Sequence, residues 1–525
     1  MMVAAVLLPK LVLASRQEIG QGDGGFYANV AYHLVRGDGL TTDLSLMHKG
    51  YHDFPHPTSV YPLWPLVLAT AASVVGLKVA AIWLPTLLYF VAVLFAYLWG
   101  RDHYPGDLFP GRMAGLNAGH LSAAMLGINY EFMWFTSLPY TEGLAYALFF
   151  AALYRFEKLW KAPSLLSGAE MGLWAALIML TRSQLLVVAM AVAATALAVC
   201  CIGRDRRLSY LMALAGFLAV FVALITPQYL WMKSFVADAQ PTMLLRFDQA
   251  RASNALSPIE VMVSTDGALE FITDRGAGLL HAFRFDDKYS YSHQFYLFQY
   301  ALPLSLLQLL WLAVMSEKRR ALLASARNLL SSRTLAAVLF VTLLAVGSFL
   351  SIHAVHKRMW AEWNFHIRHA LVCIPIFFLC MRSLLTRGPQ VFRVTAVLLC
   401  AASLYLGYAQ LLRMPGAATV RISETKLDDS ILDWIRREHD RRGDLKIGAR
   451  QIQGLWQSAE GVGFHAIYRQ TSFEDLMTMV DEMGLDAIVI HETMKGRFRR
   501  DRRFRRSFRK VLRGGEYLVF VPVGS

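Results

Sequence analysis

"EIGQGDGGFYANVAYHLVRGDGL", residues 18–40, follows a short apolar stretch and carries two Gly-Asp-Gly triplets, at 22–24 and 37–39. Asp23 and Asp38 bracket a segment that reads as a helix over 26–35. Phe26, Val30 and Leu34 line one face, while Asn29, His33 and Arg36 favour another. A helix with that division lies on a membrane surface rather than across it. Glycines beside both acids let the backbone bend closely around them. Asp23 therefore either caps the helix or holds a carboxylate ready for chemistry. Gly37 and Asp38 end the helix and start an outer loop.

The surroundings decide that this is a membrane segment. The chain has 525 residues, 56% of them hydrophobic, and its mean hydropathy is +0.40. A soluble protein of this size needs polar residues over much of its surface. The apolar residues cluster in blocks of roughly 17–25, the length of a membrane-crossing helix. The predicted architecture is an α-helical polytopic membrane protein with about 11–13 membrane helices. A short first helix over 1–15 is expected to lack part of its beginning. Further helices are expected over 61–77, 79–100, 113–135, 138–153, 169–180, 185–202, 208–232, 295–315, 335–352, 367–381 and 391–412.

Lys and Arg in short loops orient the bundle. Arg155, Lys158 and Lys161, residues 203–207, residues 317–333 and the loop 382–393 mark the cytoplasmic side. The outer side then holds the loop 16–60, the stretches 139–142 and 181–183, the loop 233–293, the stretch 354–369 and everything after Arg413. Two full crossings by 61–77 and 79–100 would put the tail inside. The first contains Pro62 and Pro65, so it is expected to be tilted, re-entrant or interfacial.

Residues 1–412 thus form the transmembrane domain and 413–525 a small outer α/β domain. In the latter, "DDSILDWIRREHD" and "SFEDLMTMVDEMG" read as helices. "LKIGA", "DAIVIH" and "YLVFVPV" read as strands. The five cysteines lie in apolar blocks and read as core residues rather than a disulfide framework or metal site. The net charge of +14 points to anionic partners such as lipid head groups or phosphates. Nucleic acid is not among them, because the basic residues fall between membrane segments and in one late run. That run, "KGRFRRDRRFRRSFRK" (495–510), either lies on anionic head groups or an acidic glycan, or is a solvated face with its phenylalanines buried. The second reading is preferred.

Six stretches with chemical potential converge on the outer side. Asp23 is in the first. "HDFPHPTSVYPLWPLVLA" (52–69) brings His56 to a Tyr-Pro membrane entry. "FTSLPYTEGLAYALFFAALYRF" (135–156) sets Glu142 at an outer helix end. "LIMLTRSQLLVVA" (177–189) sets Arg182 between apolar runs. "FDDKYSYSHQFYLFQYALPL" (285–304) supplies Lys288 and His293. "WNFHIRHALVCIPIFFL" (363–379) supplies Arg368 and His369.

In that order the chain resembles the GT-C superfamily of polyprenyl-phosphate-sugar-dependent glycosyltransferases, to which protein O-mannosyltransferases and aminoarabinose transferases belong. Its members have a first helix, then an outer-loop acid before an amphipathic helix, then a His/Pro-rich membrane entry. A second acid near a helix end, an Arg after a short helix and an Arg-aromatic or Arg-His pair near the last helices follow. Many bacterial members end in a periplasmic α/β domain. This chain has Gly24-Gly25 where members often place another acid or a bulky residue after the first acid.

The resemblance implies transfer of a sugar from a polyprenyl-phosphate donor to a glycan, lipid or protein acceptor, with inversion, at a bacterial inner membrane. Asp23 would be the catalytic base and Glu142 the second acid, positioning the acceptor. Arg182, Lys288 and Arg368 would meet the departing phosphate, supported by His56, His293 and His369. No cofactor and no metal are expected. Each residue has a plainer reading as well. Glu142 could cap its helix, Arg182 could snorkel to the interface, and Lys288 could be a solvated loop lysine. Arg368 and His369 could be interfacial anchors. A transporter or flippase of lipid-linked sugars is the main rival, and it predicts charges buried along a pathway. No internal repeat supports it. A non-catalytic scaffold whose tail binds glycan is the other rival.

Overall fold

Apolar blocks joined by short polar loops leave little choice but helices packed side by side. The structure, a computed structural model, describes residues 2–15, 22–45, 54–58, 60–108, 115–182, 185–202, 207–235, 301–314, 335–344, 372, 374–387, 389–423, 427–449, 455–467, 473–492 and 501–523. Helices α1 (Met2–Ser15), α2 (Gly22–Arg36), α3 (Leu63–Val75) and α4 (Leu77–His103) are followed by α5 (Ala118–Gly127) and α6 (Tyr130–Phe135). Next come α7 (Glu142–Leu159), α8 (Leu165–Thr181), α9 (Leu186–Ile202) and α10 (Arg207–Phe235). Later helices are α11 (Ala301–Val314), α12 (Leu335–Leu344), α13 (Ile374–Arg387) and α14 (Gln390–Ser423). Among the described residues, α4 and the Arg207–Trp231 part of α10 are long and apolar enough to cross a bilayer. With 13 residues, α3 reaches only about 20 Å, short of a hydrocarbon core of about 30 Å.

Three details of the bundle matter for the site. First, α1 is tied down by Lys10, whose side chain is fully buried. Its ammonium donates to Met133 O at 2.9 Å, Thr136 Oγ1 at 2.8 Å and Ser137 Oγ at 2.7 Å. Three oxygen partners surround the nitrogen, which is what makes a polar group tolerable there. Second, the stretch 113–135 is not the single helix expected. It breaks at Asn129, which has an extended backbone and caps α6 with its side chain, Oδ1 accepting from Phe132 N at 2.9 Å. Third, α7 starts at Glu142 and runs on to Leu159, so Arg155 and Lys158 lie in its last turns rather than in a loop.

The crossing of α8 and α10 is glycine-lined. A Cβ at Gly168 would stand 1.8 Å from Ala213 O, one at Gly172 2.5 Å from Phe217 O, and one at Gly216 2.1 Å from Leu165 O. Small residues let helix backbones touch in this way. Gly168→Leu is therefore expected to push α8 off α10 and to destabilise the bundle by about 3 kcal/mol. Thermal unfolding in detergent measures this, and an unchanged melting temperature would mean that the two backbones are not in contact.

The C-terminal unit holds α15 (Asp429–Arg442), α16 (Phe473–Met483) and α17 (Arg502–Ser507) with strands β4 (Lys446–Ala449), β5 (Gly463–Ala466), β6 (Ala487–His491), β7 (Phe508–Gly514) and β8 (Tyr517–Pro522). The segment between α2 and α3 adds β1 (Thr41–Thr42), β2 (Leu44–Ser45) and β3 (His56–Pro57). The main sheet has the order β2-β5-β4-β6-β8-β7, parallel from β2 to β6 and antiparallel from β6 to β7. Both faces are covered, so the inner strands are buried almost throughout. On one face α16 packs Leu476, Met479 and Met483 against Ile488, Ile490, Phe504 and Leu518. On the other, Ile431 and Ile435 of α15 join Ile447, Val489 and Val519, and this core continues into Phe26, Val30, Trp64 and Leu68 of α2 and α3.

The helices and strands expected after residue 425 are present, and β5, β7 and β2 are additional. β7 escaped prediction because it is an edge strand carrying Arg509, Lys510 and Arg513, charges that blunt an edge against pairing. Within the basic run Phe504 and Phe508 are buried and stacked, while Arg502, Arg505, Arg506 and Arg509 are exposed. This is the solvated-face arrangement. α14 continues to Ser423, past the domain boundary placed at residue 412.

Candidate functional site

α2 begins at Gly22, four residues before the predicted start, so Asp23 lies in its first turn and not at its N-cap. The Asp23 side chain is exposed there, where the helix dipole favours a carboxylate. The two glycines after it are explained by what approaches them. A Cβ on Gly24 would come within 3.1 Å of the Pro139 ring. Gly25 O accepts a hydrogen bond from Trp456 Nε1 at 3.1 Å. Pro139 is itself held, its carbonyl accepting from Trp64 Nε1 at 2.9 Å. The first turn of α2 is thus pressed between the 139–142 stretch and the C-terminal unit.

Three residues after Pro139, Glu142 opens α7 and is 1% exposed. Its carboxylate is paired with the Arg182 guanidinium. Arg182 caps the C-terminus of α8 with an extended backbone, and its Nη1 also donates to Thr141 Oγ1 at 3.2 Å. The guanidinium is 7% exposed, so it does not snorkel. The structure therefore brings together the neighbourhoods of Asp23, Glu142 and Arg182, and it joins the last two in an ion pair. Three residues of extended chain span about 10 Å, which sets the scale of the cluster.

His56 lies elsewhere. It sits on β3 opposite Thr42, with Nδ1 2.9 Å from Pro57 O and its ring 5.4 Å from the Phe54 ring. Burial pushes its pKa down to about 4, so at neutral pH it brings no positive charge to a phosphate. Its neighbours are Asp43 and His33, toward the other end of α2. That is about 15 Å of helix from Asp23. Lys288, His293, Arg368 and His369 lie outside the described residues.

A second cluster went unforeseen. His33 Nδ1 is 2.9 Å from Asp38 Oδ2, and Nε2 is 2.9 Å from Asp43 Oδ2. Asn29 Nδ2 donates to Asp43 Oδ2 at 3.3 Å. Asn29 Oδ1 accepts from Thr42 Oγ1 at 2.6 Å and from Asp43 N at 3.0 Å. Asp38 reaches back because Gly37 and Gly39 both adopt positive φ, at 87° and 82°. The second Gly-Asp-Gly is a turn that folds an acid onto the helix it ends. The available signal was Asn29 and His33 on one polar face, followed by the second triplet. Among the described residues, no group of three His, Cys, Asp or Glu side chains is placed to hold a metal ion.

Burial opposes the charged form of His33, but hydrogen bonds and charge from Asp43 and then Asp38 outweigh it and raise its pKa. A folded-state pKa above the ordinary 6.5 or so means stabilisation that is full below about pH 6.5 and fades as pH rises through the raised value. Hydrogen exchange of residues 38–45 is accordingly expected to speed up between pH 6 and pH 9 beyond its intrinsic pH dependence. In His33→Gln that excess should vanish. An excess that persists in the variant places the titrating group elsewhere.

No protein-family model matches this chain, and no curated protein matches it either. Solved structures do. The archaeal oligosaccharyltransferase AglB from Archaeoglobus fulgidus, in complex with an inhibitory peptide and a dolichol-phosphate, aligns with a TM-score of 0.56. The alignment covers 100% of this chain and 74% of that one at 11% identity. The Archaeoglobus fulgidus oligosaccharyltransferase in complex with Zn and sulfate aligns with a TM-score of 0.53 over 94% of this chain and 68% of that one, again at 11% identity. ArnT from Cupriavidus metallidurans, bound to undecaprenyl phosphate, aligns over 100% of this chain and 97% of its own at 12% identity, with a TM-score of 0.46. The fold of this chain is the one it shares with the oligosaccharyltransferase.

Proposed function

We propose that this chain is a polytopic inner-membrane glycosyltransferase. It moves one sugar from a polyprenyl-phosphate carrier to a glycan, lipid or protein acceptor on the outer face, where its C-terminal unit also stands. One observation carries the reading. An exposed carboxylate, Asp23, opens a helix packed beside the outer ends of α7 and α8, where Glu142 and Arg182 meet. The dolichol-phosphate bound by the oligosaccharyltransferase of the same fold supports a lipid-phosphate partner.

In this scheme the acceptor oxygen attacks the anomeric carbon from the face opposite the phosphate. A carbon–oxygen bond forms there as the bond to the phosphate oxygen breaks. Asp23 takes the acceptor proton, and the product has the inverted configuration. The departing phosphate needs preorganised positive charge in a site of low dielectric. Arg182 supplies it, aimed by Glu142, with Lys288 and Arg368 as further cations and His293 and His369 as donors. His56, neutral and apart, is left out of the phosphate set. The scheme uses no metal ion.

The test is a panel of radiolabelled polyprenyl-phosphate sugars offered to membranes that contain the protein. Consumption of one donor, with release of polyprenyl phosphate and an inverted anomer in the product, is the expected result. If no donor is consumed while a labelled donor changes leaflet, the protein is a flippase and the transferase reading falls.

A further inference from the structure

We propose that Trp456, in the C-terminal unit, is a positioning residue for Asp23, and that the segment Leu455–Glu460 is a clamp that holds α2 in register. This rests on the transferase reading with Asp23 as base. The starting point is the weakness of the first turn of α2. Gly24 and Gly25 are poor helix formers, each worth about 1 kcal/mol against alanine. Gly24 leaves no room for a Cβ without displacing Pro139. The acid is therefore carried on the least stable part of the helix, and something outside the helix must hold it.

The C-terminal unit does so at several points. The Trp456 indole is 6% exposed and donates through Nε1 to Gly25 O at 3.1 Å, two residues from Asp23. Its ring lies 5.5 Å from the Tyr32 ring. Glu460 meets the Tyr32 hydroxyl and the Arg36 guanidinium. Gly25, Tyr32 and Arg36 stand at i, i+7 and i+11, one stripe of an α-helix. The segment 455–460 thus runs along α2 from its first turn to its last.

The loop that follows α2 is held as well. Leu44 and Ser45 pair with Phe464 and His465, and Phe464 N donates to Asp43 O at 2.8 Å. Phe54 packs onto Gly463, where a Cβ would stand 2.2 Å from its ring. α2 can neither slide nor turn about its axis without breaking contacts to the C-terminal unit. Trp456 is the member of that set closest in sequence contact to the acid.

The experiment uses the full chain in lipid nanodiscs and compares wild type, Trp456→Phe, Asp23→Asn and the double variant. Phe keeps the aromatic packing against Tyr32 and removes the N–H. Trp456→Phe is expected to lower kcat about tenfold, the worth of one well-placed hydrogen bond, with KM for donor and acceptor unchanged. In the Asp23→Asn background the same change is expected to have no further effect, because both act through one carboxylate. Exchange of the Gly22–Phe26 amides should quicken in Trp456→Phe while β4, β5 and β6 stay protected. Wild-type kcat in Trp456→Phe, or an equal loss in both backgrounds, overturns the positioning role. Loss of protection throughout the sheet means that Trp456 serves only the domain's stability. Wild-type turnover in Asp23→Asn instead overturns the assignment of Asp23 as base, on which the positioning role rests, whatever Trp456 does.

Discussion

Asp23→Asn is expected to lower sugar transfer by about 10²–10⁴-fold, the usual contribution of a positioned general base, while leaving the protein folded and able to bind donor. The substitution is isosteric, and the side chain is exposed on a helix's first turn. Exposed substitutions change stability by about 0.5 kcal/mol, and losing a carboxylate at a helix N-terminus adds about 0.3–1 kcal/mol. Neither is large enough to unfold a bundle. A large loss of rate with little loss of stability is therefore the mark of chemistry at this position. Initial rates at saturating donor, beside a donor-binding assay on the same preparation, give both numbers. Should the variant turn over within about threefold of wild type, a role as base is ruled out. The assignment would then move to Glu142, which would first have to leave its ion pair.

Arg182→Met is expected to destabilise the bundle by about 3–5 kcal/mol, because it leaves the Glu142 carboxylate buried without its counter-charge. Glu142→Gln, which leaves Arg182 buried instead, is expected to lose a comparable amount. The double variant Glu142→Met with Arg182→Met should recover most of the loss, since replacing both members of a buried pair with apolar groups is often neutral. Unfolding in detergent measures all three. Single variants as stable as wild type would mean that the two side chains are not paired. The transfer assay separates stability from function. The double variant should be folded and inactive if Arg182 meets the phosphate, and active if the pair only braces α7 against α8.

Much of the helical half was legible because helices packed side by side through apolar faces require long apolar runs, and those are visible one residue at a time. The expected helix over 185–202 differs from α9 by a single residue. The failures are where a local polar group overrode the pattern. Asn129 splits 113–135 because its side chain caps a helix better than it sits inside one. The helix α2 starts early because its glycines, poor formers on their own, are held from outside.

Asp23, Glu142 and Arg182 were named as candidates from the order of charged residues along the chain. Their relations were not visible. Glu142 and Arg182 are 40 residues apart in sequence, and the pairing depends on the packing of α7 against α8. His56 was grouped with the phosphate ligands because it precedes a membrane entry. Only the fold shows it buried beside Asp43 and His33, where burial keeps it neutral.

By itself the sequence determined what its own periodicity and composition carry: apolar runs that become helices, a polar C-terminal unit with alternating helices and strands, and an acid set among glycines after the first helix. The tertiary structure decided what depends on distant segments meeting. The segment between α2 and α3 contributes Leu44 and Ser45 to a sheet built more than four hundred residues later, and Trp456 reaches back to Gly25. A two-residue strand and a single indole N–H leave no periodic trace. Their partners lie beyond any local window, and only the packed chain brings them within hydrogen-bond reach.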